Sequence, residues 1–139
     1  MTTLSDLLTA PAAAVVHRVG AGVTPAAIER AAVAAGWRFA LVDTADATDK
    51  TAVLAAFQDG LGLPEWFGCN LDALVDALRS VAADPGAVLL WYGPESFASA
   101  EPERYAAVLD ILAQRAGDAA RPRFLPLVRT AAGATSSVG

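Results

Sequence analysis

Apolar positions along this chain alternate between short continuous runs and stripes spaced by three and four residues, a pattern of strands interleaved with amphipathic helices. Ala13 to Val19 reads as a short strand, and Pro25 to Ala35 as an alanine-rich helix entered from Thr24 and stopped by Gly36. Trp37 to Val42 reads as a second strand. From Lys50 to Leu61, Val53, Leu54, Phe57 and Leu61 fall on one helical face before Gly62 and Pro64 end it. Asn70 is a good N-cap for a helix expected from about Leu71 to Ala82, with Leu71, Leu74, Leu78 and Val81 on its buried face. After a turn at Asp84-Pro85-Gly86, the unbroken apolar run Ala87 to Tyr92 has the character of a strand buried on both faces, and is therefore expected to be central. Glu101 to Ala116 should form the last helix, with Tyr105, Val108, Leu109 and Leu112 inward. Arg123 to Arg129 should return as a final strand, in which Pro126 marks an edge or a bulge because it removes a ladder donor.

This order implies an α/β protein in which a small parallel sheet is packed with helices. Residues 1–36 read as an added strand and helix within the same domain, and residues 37–130 as the main body. Residues 131–139 lack periodicity and bulk and are expected to be a disordered tail.

Composition narrows the function. With 139 residues, 55% hydrophobic and 18% charged, the chain suits one ordered domain with a real core. A net charge of −5 argues against direct nucleic-acid binding, which needs a basic face, and fits a basic protein partner. Arg121, Arg123 and Arg129 are expected at solvent-facing positions along or beside the final strand. The single cysteine, Cys69, excludes an internal disulfide and suits a reducing compartment. The first 17 residues hold Asp6 and no Lys or Arg, unlike the start of a secretory signal, and no run approaches the ~20 apolar residues that span a bilayer. A cytoplasmic protein, monomeric when free, is expected. His17 has no Cys, Asp or Glu at metal-ligand spacing, and no phosphate-binding glycine loop is evident, so neither metal nor cofactor is expected.

The chemistry-bearing stretch is Leu63 to Leu78, LPEWFGCNLDALVDAL. At about 100° per residue, Asp72, Asp76 and Arg79 share a stripe away from the buried face, with Val75 at its border. Asp72 lies in the first turn, where free amides and the helix dipole favour an anion. Asp76, four residues on, repels it by a few tenths of a kcal/mol. Local stability accounts for Asp72 better than for Asp76, although Asp76 can pair with Arg79 and the stripe is also consistent with ordinary solvated helix surface. Trp66, Phe67 and Gly68 sit at the helix entry, where an anchoring ring and an acidic stripe can share one surface.

This stretch resembles the signature of the barstar family, small intracellular inhibitors of secreted microbial ribonucleases of the barnase type. The match is ungapped from Leu63 to Leu78, and the order of elements agrees from about Trp37 to Thr130. The resemblance implies a barstar-like fold, no catalytic activity, and an inhibitory face that plugs a ribonuclease active site. On that face it places the residues corresponding to Trp66, Asn70, Asp72 and Asp76, and it gives Asp76 the place of the acid that mimics an RNA phosphate. Phe67, Gly68, Val75 and Arg79 complete the candidate partner-binding set. Three positions depart from the family pattern. Val75 stands where a large aromatic is common, Arg79 adds a cation to the acidic stripe, and Gln114 replaces a peripheral acid.

Two further readings remain open on the residues alone. Asp72 and Asp76 can act as an acid and base pair for hydrolysis, which calls for a cleft around them and pKa values pushed apart. Alternatively, the fold serves as a binding module for another basic protein.

Overall fold

The computed structural model describes residues 4–10, 13–20, 22–62, 70–81 and 85–131. The elements in chain order are α1 (Leu4–Thr9), β1 (His17–Arg18), α2 (Pro25–Ala34), β2 (Arg38–Asp43), α3 (Lys50–Leu61), α4 (Leu71–Arg79), β3 (Gly86–Tyr92), α5 (Glu95–Ala100), α6 (Pro102–Ala116) and β4 (Arg123–Arg129). The four strands form one parallel sheet in the order β1-β4-β3-β2. This is the mixed α/β architecture implied by the alternating pattern.

Local chemistry explains the long helices. Thr24 and Asp49 cap α2 and α3 by accepting the amides of Ala27 and Ala52 at 3.1 and 2.8 Å. Gly62, at φ 67°, closes α3 in the left-handed conformation that glycine adopts without strain. Val53, Leu54, Phe57 and Leu61 are all buried, as their spacing requires.

The sheet separates two hydrophobic clusters, and β3 contributes to both. Ala87, Leu89 and Trp91 face the larger cluster with α3, α4, α5 and α6, whereas Val88 and Leu90 face the smaller one with Ile28 and Ala32 of α2 and Leu8 of α1. Alternation with a period of two, all of it apolar, is what a strand covered on both faces needs. Trp91 sits at the centre of the larger cluster, edge-on to Phe57 at 5.2 Å and to Tyr105 at 5.4 Å, and its indole N–H donates to Thr44 Oγ1 at 2.8 Å.

Several expectations are corrected. β4 is an interior strand, lying between β1 and β3, and Pro126 stands opposite Leu89 in an unbroken register with no bulge. The proline is tolerated because β1 pairs only with Leu127 and Val128, so β4 has no β1 partner at Pro126. The first strand is two residues long, not the seven from Ala13 to Val19. Arg129 is buried rather than solvent-facing: its guanidinium lies 5.4 Å over the Tyr92 ring and donates to Val23 O at 2.6 Å. Arg123 is half-buried over Trp37. Both exchange water for an aromatic face, which an amphipathic side chain can do along its stem. Helices α1 and α5 were not anticipated; each has six residues, too few for a three-and-four stripe to declare itself. The anticipated turn at Asp84 and the tail from residue 132 lie outside the described residues.

Gly60 marks the closest approach of α3 to the sheet. A Cβ there would stand 2.3 Å from Leu41 O and 3.0 Å from Val42 Cγ2. Alanine is the better helix former by about 0.5–1 kcal/mol, but a clash with backbone forces the helix to shift, and overpacking costs typically about 1–3 kcal/mol. Gly60→Ala is therefore expected to destabilise the protein by roughly 1–2 kcal/mol net, read as a lowered midpoint of urea unfolding. An unchanged or raised midpoint would mean that α3 slides freely on β2.

Candidate protein-docking face

Helix α4 is short, and its presentation depends on how both ends are held. At its N-terminus Asn70 adopts an extended backbone and its side-chain oxygen accepts the Ala73 amide at 2.7 Å, satisfying one of the free donors of the first turn. Leu74 and Leu78 are fully buried, facing α6 and the larger cluster. The opposite stripe is exposed, with Asp72, Asp76 and Arg79 in solvent and Val75 half-buried at its border. Asp76 pairs with Arg79 at 3.5 Å, with side chains 78% and 58% accessible. An ion pair so exposed adds little to stability.

The C-terminal end differs from expectation. The helix stops at Arg79, and not at Ala82. Ser80 and Val81 donate to Ala77 O and Leu78 O in tightened turns, and Val81 is still buried. The reason lies on α6. Arg115 donates from Nε to Leu78 O at 2.9 Å and from Nη2 to Val81 O at 3.0 Å. Arg121, itself bound to Asp118 at 3.0 Å, donates from Nη1 to Arg79 O at 3.0 Å. Two guanidinium groups thus take the carbonyls that a helix end leaves free, and cations there also oppose the negative end of the helix dipole. Sequence reasoning missed both tethers: Arg115 lies on α6 and Arg121 in the connection after it, and nothing in the local pattern of either marks this role.

Arg115 carries its charge indoors. It is 4% exposed, with its guanidinium 5.3 Å over the Phe124 ring. Burial pushes its pKa below the usual arginine value; the Asp118 carboxylate opposes that and Arg121 reinforces it. Among the described residues its Nη1 has no hydrogen-bond partner.

Beside the acidic stripe lies a cavity of about 220 Å³, lined by Val75, Leu78, Arg79, Ile111, Gln114, Arg115 and Asp118. Val75 and Arg79 from the candidate set therefore meet Gln114, the third departure, in one place. Neither Asp72 nor Asp76 lines this cavity. Trp66, Phe67 and Gly68, expected at the entry to α4, lie outside the described residues, as does Cys69. His17 is half-buried on β1, and among the described residues no group of three or more His, Cys, Asp and Glu is placed to hold a metal ion. No described helix is long and apolar enough to cross a membrane.

A small parallel α/β domain thus displays a capped helix, tethered at its far end, with Asp72 and Asp76 exposed on one stripe. In comparison with protein families, residues 37–129 match the model described as Barstar (barnase inhibitor), and this chain is a member of the barstar family. No curated protein matches it.

Proposed function

We propose that this protein inhibits a microbial guanyl-specific ribonuclease of the barnase type by covering its active site with α4 and the loop before it. The observation that carries the reading is the exposure of Asp72 and Asp76 on a helix fixed at both ends, within a chain of the barnase-inhibitor family. A ribonuclease must hold RNA phosphates with cationic groups, and carboxylates presented from a tethered helix meet those groups with little ordering cost. The net charge of −5 speeds encounter with a basic enzyme. Asp76 is the central contact, with Asp72, Asn70, Val75, Arg79, Trp66, Phe67 and Gly68 around it. The protein acts without catalysis, in the cytoplasm, as a monomer until it meets its target.

Calorimetric titration against a panel of microbial guanyl-specific ribonucleases, with an RNA cleavage assay, tests this. One-to-one binding that blocks cleavage is the expected result. A panel without a binder would turn the search to another basic protein as partner, the reading that Val75 and Arg79 keep in view.

A further inference from the structure

Arg115 raises a question that its tether to α4 does not answer. Two of its nitrogens are spent on Leu78 O and Val81 O, while Nη1 is buried with no acceptor among the described residues. Among the described residues no carboxylate forms an ion pair with it. Asp118, the acid on the same cavity wall, is engaged by Arg121 at 3.0 Å, and Asp76 by Arg79 at 3.5 Å. A guanidinium taken out of water ordinarily comes with a counter-charge and with its donors satisfied. Arg115 is one of the residues lining a cavity of about 220 Å³, several times the ~30 Å³ that a water molecule occupies in the liquid. That space suits a carboxylate side chain, and it opens beside the stripe that carries Asp76.

We propose that this notch between α4 and α6 receives one carboxylate side chain of the bound ribonuclease, held by Arg115 and Arg79 with the Gln114 amide beside them. The inference rests on the ribonuclease reading and refines it: the face is charge-mixed, so the enzyme it fits carries an acid next to its phosphate-binding cations. Arg115 is the fixed element, held by its two backbone bonds. Arg79 and Gln114 are exposed and free to adjust. Such a mixed pattern selects against ribonucleases that present a cation at this point, since like charges would then face one another.

Gln114→Glu gives a test in which the sign decides. On a uniformly acidic face an added carboxylate would tighten binding to a basic enzyme. At a carboxylate receptor it competes for Arg115 and repels the incoming acid, so affinity for the ribonuclease identified by the panel should fall by about tenfold, further than in Gln114→Ala. A second arm needs no ribonuclease. Sodium acetate is titrated into the ¹⁵N-labelled full chain while the Nε–H resonance of Arg115 is followed, with sodium chloride at matched ionic strength as control. A saturable shift with acetate, absent with chloride and absent in Gln114→Glu, is the expected result. Tighter or unchanged ribonuclease binding by Gln114→Glu would overturn the proposal, and so would the lack of an acetate-specific shift at Arg115. Failure of every ribonuclease to bind even the wild type would instead strike the inhibitor reading, and the acetate arm would then decide whether the notch accepts a carboxylate at all.

Discussion

Asp76→Ala is expected to weaken ribonuclease binding by at least about 2 kcal/mol, the threshold of an interface hot spot, which is roughly a thirtyfold loss of affinity. The barnase and barstar pair is itself a standard source for such magnitudes, so the figure is carried over from the family and is not a deduction from this chain's geometry. The geometry supplies the reason to choose this residue. Asp76 projects from the exposed stripe of a helix whose start is capped by Asn70 and whose end is tied by Arg115 and Arg121, so its carboxylate is offered with little freedom to lose. Removing it leaves the enzyme's cations desolvated and unpaired, which costs more than the contact itself returns. The fold should be indifferent, since the ion-pair partner of the carboxylate among the described residues is the exposed Arg79. The checks are calorimetric affinity and the urea midpoint of the free protein. Arg79→Ala, which breaks the same pair, should change affinity far less. The attraction should also weaken as salt rises through the range in which exposed charges become screened. Equal affinity for wild type and Asp76→Ala would remove α4 from the interface.

Arg115→Ala is the second large effect, and it falls on stability. The substitution takes the donors from Leu78 O and Val81 O, both at a buried helix end, and removes a side chain packed on Phe124. Leu78 O keeps the Val81 amide as a donor, whereas losing the donor to Val81 O costs about 1–3 kcal/mol, and relief from burying the guanidinium returns part of that. With the lost packing on Phe124 included, a net loss of roughly 1–3 kcal/mol follows, seen as a lowered urea midpoint with an unchanged slope. Arg121→Ala should cost less, because both its bonds are made in exposed surroundings. With the end of α4 released, amide exchange in its last turn should accelerate, and ribonuclease affinity should fall, both because the helix is less firmly held and because the notch loses its fixed cation. A variant as stable as the wild type would show that the buried charge costs as much as its hydrogen bonds return.

How far each feature was legible depends on the range over which its cause acts. Helix α3 was read with the observed bounds because its cap, its apolar stripe and its terminating glycine lie within one segment. The central place of β3 was legible for the same reason, since a strand buried on both faces must be apolar at every position. The exposure of Asp72 and Asp76 followed from helical spacing alone. By contrast, the end of α4 was set three residues too late, because what ends it comes from α6, far along the chain. The interior position of β4 was misjudged because Pro126 announces a missing donor but does not reveal that β1 is too short to need it.

By itself, then, the sequence determined the alternation of strands and helices, the capped acidic helix, and through the Leu63 to Leu78 stretch the family. These are properties of neighbouring residues, governed by periodicity and by bonds that span a few positions. The tertiary structure alone decided that Arg115 closes α4, that Arg129 turns inward to Val23 and Tyr92, and that Val75, Arg79, Gln114 and Arg115 share a notch. Those outcomes depend on which carbonyls are left unsatisfied and which side chains are brought beside them when separate elements pack, and no local pattern encodes that.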